Sequence, residues 1–232
     1  MKFIARKNDD GSEQFLKDHL HNVASYSSLF AKKFESSNIA YLIGLIHDIG
    51  KYSNAFQRRI RGSNEKVDHS TAGLQLCKEL FKDNKIVILI GYPVAGHHSG
   101  LPNYGSLIDY KESSTLLGRL KKEIEDFKNY KNEIKISLEL DLKKVVRIIQ
   151  NSNNFSLSFY IRMLYSCLVD ADYLDTESFM KEEIDRSINY DFNIMLEHFN
   201  NYIKKFDGSK GLINNQRAKI LNACLQHSND EQ

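Results

Sequence analysis

A histidine–aspartate pair inside a very apolar stretch constrains the fold of this chain more than any other feature. Residues 42–51, LIGLIHDIGK, have the apolar content of a protein core, yet they contain His47, Asp48 and Lys51. A buried charge is costly unless it is paired or bound to a metal ion. The stretch therefore predicts either a buried structural hydrogen bond between His47 and Asp48 or part of a metal site completed by distant residues.

The composition favours one large soluble domain, or one domain with an appendage. The chain has 232 residues, of which 41% are hydrophobic and 27% charged, with two prolines and no tryptophan. Many Leu, Ile, Lys and Glu residues favour helices. The net charge of +2 alone indicates nothing about nucleic acid binding.

Cysteine usage and the N-terminus predict a cytoplasmic protein that does not contact membranes. Cys77, Cys167 and Cys224 are odd in number, widely spaced and outside any CxxC motif. This pattern argues against a disulfide scaffold and a thiolate zinc site, and for a reducing compartment. The N-terminus has no apolar core of signal-peptide length, and no stretch approaches a membrane span.

Apolar periodicity and breaker residues predict an all-α fold. The run KIVILIGYPVAGHH, residues 85–98, has strand composition, but we interpret it as a buried helix because no second strand of similar strength could pair with it. A loop rich in Gly, Pro, Asn and Ser follows it over residues 99–114. The predicted helices are 12–34, 39–51, 53–61, 69–82 with Asp68 as cap, 85–98, 114–128, 138–150, 156–175, 177–206 and 211–227.

Histidines are concentrated in short polar clusters of the first hundred residues. Taken alone, a histidine on a helix is more often a structural residue than a metal ligand, and an HD dipeptide is weak support. Together with carboxylates, however, several such clusters favour a metal centre. The clustered histidines are His19, His47, His69, His97 and His98.

Helix geometry selects among neighbouring candidates. At about 100° per residue, His19 lies at the edge of the apolar stripe of its helix, whereas His21 projects from the solvated side. On residues 157–177, Asp172 flanks the inward face and Asp170 points more nearly outward. We predict Asp172 as a ligand with Asp170 in reserve. The alternative is an exposed acidic pair near a helix end.

The chain resembles the HD superfamily of metal-dependent phosphohydrolases, with a helical histidine (His19), the His47-Asp48 dipeptide and a distant helical aspartate (Asp172). More narrowly, it resembles the HD nuclease domain of type I CRISPR interference, which is joined to or partnered with a superfamily two helicase. The narrower resemblance rests on HLHNVA (19–24), HDIGK (47–51), DHSTAG (68–73), GHHSGLP (96–102) and LVDADYLDTE (168–177).

This resemblance implies an HD-domain helical bundle with a metal site in its core, where two divalent ions share Asp48. It also implies that Lys51 lies near the reacting phosphate and that Ser99 and Ser166 support the ligands through hydrogen bonds. Mixed imidazole and carboxylate ligands suit Mn, Fe, Co, Ni or Zn better than Mg. One ion would take His19, His47, Asp48 and Asp172, and the other Asp48, His69, His97 and His98.

The implied reaction is hydrolysis of single-stranded DNA, with unwound strand supplied by the helicase and the target by a CRISPR surveillance complex. Such a substrate needs a positive groove with stacking aromatic residues. The alternative for each candidate is an ordinary core or surface role. The candidates are the basic patch Gln57, Arg58, Arg59 and Arg61, the pair Lys121-Lys122, and the aromatic residues Tyr52, Phe56 and Tyr104.

Two rival functions remain open. One is an HD phosphohydrolase that acts on nucleotides or cyclic dinucleotides in a closed pocket. The other is a non-enzymatic helical adaptor whose histidines are structural.

We predict an HD nuclease domain over residues 1–206 and a C-terminal helical segment over 207–232. The sequence GLINNQRAKILNACLQ (211–226) resembles the segment that leads into the helicase in fused nuclease–helicases. The chain is then a separate HD subunit or a nuclease–helicase cut before its helicase. Alternatively, this segment is a terminal helix packed on the bundle.

Overall fold

The computed structural model describes residues 2–81, 84–136, 153–180, 191–206, 208 and 211–227. It divides the chain into two compact units, Met1–Glu183 and Ile184–Gln232. The predicted functional boundary at residue 206 stays a prediction. The predicted helix 138–150 and residues 181–190 of helix 177–206 lie outside the described residues.

The first unit is the all-α bundle that the sequence predicts. Its strands are β1 (Ile4–Lys7) and β2 (Glu13–Phe15). Its helices are α1 (Leu16–Ala31), α2 (Ser37–Ile46), α3 (Asn54–Ile60), α4 (Ser70–Leu80), α5 (Asn84–Gly96), α6 (Leu116–Lys121) and α7 (Asn154–Met180). Short 3-10 helices cover Lys32–Phe34, Ile49–Tyr52 and Lys128–Asn132.

Helices α1, α2, α4, α5 and α7 enclose the core. Helix α1 packs against α2 and α7, and α5 packs against α4 and α7. The helical interpretation of residues 85–98 is confirmed, since Ile90 of α5 is fully buried among apolar neighbours from these helices. Helix α3 ends before Gly62, as predicted, and the φ of +111° at Gly62 is favourable for glycine.

An N-terminal hairpin replaces the predicted start of the first helix. Strands β1 and β2 are antiparallel, and Arg6 is paired with Gln14. The Asp10-Gly11 dipeptide forms the turn, where Gly11 has a φ of +89°, and such dipeptides favour tight hairpins. The first helix begins at Leu16 instead of Ser12 because the chain is still in the hairpin at that point.

Helix α2 ends at Ile46, five residues before the predicted end at Lys51. Asp48 has φ −110° and ψ 20°, outside the helical region, and a 3-10 turn follows it. This turn lies directly against the segment before α4, because a Cβ atom on Gly50 would overlap the carbonyl oxygen of His69. The close approach brings the His47-Asp48 segment next to His69.

Two other helices differ in length from the prediction. Helix α6 stops at Lys121 instead of residue 128 because Gln75 of α4 donates hydrogen bonds to the carbonyl oxygens of Arg119 and Lys122. Helix α7 continues to Met180 across the break predicted after residue 175. Two polar residues fit this longer helix. Asp175 is buried in the bundle, and the Thr176 hydroxyl donates a hydrogen bond to the Asp172 carbonyl one turn earlier.

The second unit contains α8 (Phe192–Ile203), a 3-10 helix (Lys204–Phe206) and α9 (Leu212–Gln226). Asp191 caps α8 by accepting hydrogen bonds from the Asn193 and Ile194 amides. Helix α9 lies where the sequence predicts a helix over 211–227. Among the described residues, no helix combines the length and the apolar character that crossing a membrane requires.

Candidate metal centre

The bundle brings all seven predicted metal ligands to one place. His19 projects from the first turn of α1 and Asp172 from the interior of α7, whereas the other ligands lie in the turns that adjoin helix ends. The remaining members are His47 and Asp48 after α2, His69 before α4, and His97 and His98 after α5. His21 instead contacts the Tyr41 hydroxyl, and Asp170 is exposed to solvent.

Asp48 lies between two groups of ligands. We call His69, His97 and His98 the His69 set, and His19, His47 and Asp172 the His19 set. Asp48 Oδ1 lies 3.4, 3.3 and 3.8 Å from the Nε2 atoms of the His69 set, in that order. Asp48 Oδ2 lies 3.5 Å from His19 Nε2 and 3.4 Å from His47 Nε2. Each carboxylate oxygen of Asp48 therefore faces one set.

Backbone hydrogen bonds fix the orientation of two histidines. His47 Nδ1 lies 2.7 Å from the Gly44 carbonyl oxygen, and His97 Nδ1 lies 2.7 Å from the Val94 carbonyl oxygen. A carbonyl only accepts, so each Nδ1 donates its proton there, and Nε2 is the ring nitrogen left to bind a metal ion. This arrangement is usual for histidines that bind metals.

The residues fit divalent metal ions. The Nε2 atoms of His19 and His47 are buried and have no hydrogen-bond partner among the described residues. Two atoms that each lie about 2.1 Å from one ion can be separated by at most about 4.2 Å. The neighbouring donor atoms are 2.7 Å (His69 Nε2 to His98 Nε2) to 3.8 Å apart, within this limit. Imidazole and carboxylate together suit transition metals better than magnesium.

Asp48 is ionised in spite of its complete burial. Burial raises the pKa of Asp48, but the Lys51 ammonium and the His47 imidazole outweigh it and hold the pKa well below its usual range. Lys51 Nζ lies 2.7 Å from Asp48 Oδ2, at an angle that does not make a hydrogen bond. Asp48 is thus available as an anionic ligand at neutral pH.

His69 is neutral at the same pH. Burial lowers the pKa of His69 to about 4, with the Lys51 charge acting in the same direction and Asp48 opposing it. The Phe56 ring packs edge-on against the imidazole, with ring centroids 4.9 Å apart. A neutral imidazole held in one orientation is ready to bind a cation without first losing a proton.

Asp175 supports the candidate ligand His19 and was not among the predicted site residues. Its side chain is buried and accepts a hydrogen bond of 2.6 Å from His19 Nδ1, and it also accepts from Gln14 and Asn22. Burial raises the pKa of Asp175, but these hydrogen bonds lower it overall. The signal was its position three residues after Asp172, on the same inward stripe of α7.

Asp68 holds the segment that carries His69. It accepts hydrogen bonds from the Thr71 amide and hydroxyl, and Lys122 Nζ lies 2.6 Å from its carboxylate. The Asp68 side chain therefore caps the first turn of α4, as predicted, although His69 and not Asp68 occupies the N-cap position. Close by, Arg119 Nη1 donates to the Ala95 carbonyl at the end of α5, 2.6 Å away.

We expect Asp68→Ala to lower the free energy of unfolding at neutral pH by about 1–2 kcal/mol, because the cap and the ion pair are lost. Burial raises the pKa of Asp68, but hydrogen bonds from Lys122 and Thr71 lower it from 3.8 to about 2. This stabilisation is present above pH 3.8 and is lost as the pH falls through 2. Urea unfolding of wild type and variant across this range measures the difference, which Asp9→Ala, at an exposed turn position, should not reproduce.

Most of the predicted DNA-binding residues have structural partners. Tyr52 cannot stack on a base, because it is fully buried and donates a hydrogen bond to Glu133. Gln57 and Arg61 hold the N-terminal strand: the Gln57 amide bonds both backbone groups of Ile4, and Arg61 donates to the Lys2 carbonyl.

Other candidates are held away from the ligand cluster. Arg58 pairs with Glu65 in solvent, Lys121 bonds the carbonyl oxygens of residues 107 and 109, and Ser99 accepts from Arg119. Ser166 and Tyr104 are exposed, and no contact joins them to the cluster within the described ranges. Within the described ranges, neither Ser99 nor Ser166 forms a hydrogen bond to a candidate metal ligand. Their predicted supporting roles stay predictions.

Arg59 is the member of the basic patch that lies at the site. A cleft of about 290 Å³ opens beside the His69 set. His98 forms part of its wall and has 46% of its side chain exposed. The cleft is lined by Lys51, Phe56, Arg59, Ile60, His69 and His98.

Fold and site together define a class of protein: a helical bundle whose core gathers imidazole and carboxylate groups that could hold divalent metal ions. The chain belongs to the HD domain family, whose model matches residues 16–146, more than half of the chain. Members of this family are metal-dependent hydrolases, and the predicted superfamily is confirmed.

One solved structure that is similar is the CRISPR-associated Cas3 HD domain protein from Methanocaldococcus jannaschii. It is 20% identical in sequence, with a TM-score of 0.41, over 74% of this chain and 99% of that chain. The search of curated proteins gave no match.

Proposed function

We propose that this protein is a nuclease that hydrolyses the phosphodiester bonds of single-stranded DNA with two divalent metal ions. The observation that carries the proposal is the position of Asp48, with one carboxylate oxygen toward each set of ligands. Two divalent ions bound by these two sets would supply an activated water and charge to offset that of the phosphoryl and leaving oxygens.

The charges of the site also favour a phosphate substrate. Three carboxylates, Asp48, Asp172 and Asp175, face two cations, Lys51 and Arg6. These five groups sum to one net negative charge, and two divalent ions would make the site strongly positive. Such a site binds an anion, and Lys51, which also lines the cleft, is placed to offset the charge of a phosphate.

The open cleft favours a polymer over a small nucleotide. The cleft is open to solvent, and both the half-exposed His98 and Arg59 line it, so a chain could enter without being enclosed. A cationic wall beside the ligands suits a phosphate backbone. We propose that Arg59 contacts the phosphate backbone of the DNA. We assign no contact with a base to Phe56, because its ring packs on His69.

The wider role that we propose is nuclease action in type I CRISPR interference. Its support is the set of sequence segments that contain the ligands, above all GHHSGLP (96–102) and LVDADYLDTE (168–177). The partners would be a superfamily two helicase and a CRISPR surveillance complex.

We expect the protein to cleave circular single-stranded DNA with manganese, cobalt or nickel, and at least about tenfold more slowly with magnesium, since its ligands are mostly imidazole. The measurement is cleavage of circular DNA by metal-free protein supplied with each metal in turn. Parallel incubations with mononucleotides and cyclic dinucleotides test the alternative substrates. Full turnover with magnesium and none with manganese contradicts the ligand assignment; cleavage of nucleotides alone contradicts the substrate.

A further inference from the structure

We infer that Arg6 binds a phosphate oxygen of the substrate at the His19 side of the metal centre. This inference deepens the proposed function and rests on it. Arg6 lies on β1, ahead of residues 16–146 that match the family model, so the family match does not account for it.

Arg6 reaches the ligand cluster but is poorly paired there. Its Nη2 atom lies 3.5 Å from Asp172 Oδ1, a distance well beyond that of a strong charge-assisted hydrogen bond. The same atom lies 3.4 Å from His19 Nδ1. That nitrogen donates a hydrogen bond to Asp175, so it cannot accept one from Arg6. The Nε atom of Arg6 is buried and has no hydrogen-bond partner among the described residues.

The strand that carries Arg6 is firmly placed. The Gln57 side chain accepts from the Ile4 amide at 3.1 Å and donates to the Ile4 carbonyl at 2.9 Å. The next carbonyl, that of Ala5, lies 3.4 Å from Lys51 Nζ. A guanidinium held on such a strand loses little conformational freedom when it binds an anion.

Arg6 and Lys51 approach different carboxylates of the centre: Lys51 Nζ lies 2.7 Å from Asp48 Oδ2, and Arg6 Nη2 lies 3.5 Å from Asp172 Oδ1. Lys51 lines the cleft beside the His69 set, whereas Arg6 contacts Asp172 of the His19 set. Because arginine stays charged at every working pH and offers two parallel donors, it suits the oxygens of a phosphate. A divalent ion bound to Asp172 would neutralise that carboxylate and weaken its attraction for Arg6. The guanidinium would then be available to bind a phosphate oxygen of the substrate.

The test is titration of manganese-loaded protein with inorganic phosphate, followed by calorimetry, with the manganese content of each protein measured separately. We expect Arg6→Gln to weaken phosphate binding at least about tenfold, as loss of one charge-assisted hydrogen bond would, while the manganese content stays that of wild type. Arg6→Lys should fall between, because it keeps the charge but not the paired donors. Lys7→Gln, the exposed neighbour on β1, is the matched control and should bind phosphate normally.

Two results overturn the inference. If Arg6→Gln binds phosphate as tightly as wild type, Arg6 has no contact with the anion; if it loses manganese together with phosphate, Arg6 acts only by supporting Asp172. DNA cleavage by the wild type is scored separately. Wild-type protein that binds phosphate through Arg6 but cleaves no DNA contradicts the nuclease proposal alone, and protein that binds neither manganese nor phosphate overturns both.

Discussion

Asp48→Asn will lower metal-dependent DNA cleavage by at least about a thousandfold, or about 4 kcal/mol of transition-state stabilisation. The substitution preserves the size of a fully buried side chain but removes the charge that both sets of ligands share. An amide also cannot offer two equivalent anionic oxygens to two ions. The measurement is the initial rate of cleavage of circular DNA with manganese.

The variant must first be shown to fold, because Asp48 is in the core. Circular dichroism and the thermal midpoint provide this check, and Asp9→Asn, at an exposed turn position, is the matched control. A folded Asp48→Asn protein that cleaves DNA at the wild-type rate would show that Asp48 does not join the two sets. Loss of cleavage with unchanged manganese content would place Asp48 outside the metal centre as well.

Replacement of Asp175 will weaken manganese binding by about tenfold to a hundredfold, although this residue is not a predicted ligand. The carboxylate receives the proton of His19 Nδ1 and fixes the direction of Nε2. Asp175→Ala should show the larger loss, because the imidazole is then free to rotate. Asp175→Asn should show the smaller one, because its amide oxygen can still accept the bond but carries no charge.

Calorimetric titration with manganese measures these affinities directly. Asp170→Asn is the control, since Asp170 lies on the same helix with its side chain in solvent. Equal affinities for wild type and Asp175→Ala would show that the bond from His19 to Asp175 has no influence on the centre. Equal losses in the Ala and Asn variants would indicate that charge, and not orientation, is what Asp175 supplies.

Helical periodicity was sufficient to predict which side chains face inward. The choices of His19 over His21 and Asp172 over Asp170 agree with the structure because both residues lie on long, regular helices, where about 100° per residue fixes direction. The same rule would have identified Asp175, three residues after Asp172. The prediction on this helix extended only to Asp170 and Asp172, one turn before Asp175.

Features that depend on tertiary contacts could not be predicted from local patterns. The end of α6 at Lys121 is determined by Gln75, a residue from another helix. The end of α2 at Ile46 accompanies a close contact between Gly50 and His69. The Asp-Gly dipeptide is a local signal for the hairpin turn. The strands themselves have only three or four residues, which is too short for alternation of apolar and polar residues to be recognised.

The substrate-binding residues were the least predictable part of the site. Arginine, lysine and tyrosine at the surface look alike in sequence whether they bind DNA or neighbouring protein groups. The Tyr52 hydroxyl donates a hydrogen bond to Glu133, and Arg61 donates to the Lys2 carbonyl next to the N-terminal strand. Arg6, which no motif singled out, reaches the cluster only because the hairpin folds back beside α7.

Anomalous diffraction from crystals grown with manganese addresses the shared role of Asp48 most directly. We expect two peaks, one among the nitrogen and oxygen donors of the His19 set and one among those of the His69 set, each also within bonding distance of an Asp48 oxygen. A single peak, or two peaks of which either lies beyond the reach of Asp48, would contradict a centre in which this carboxylate joins two ions.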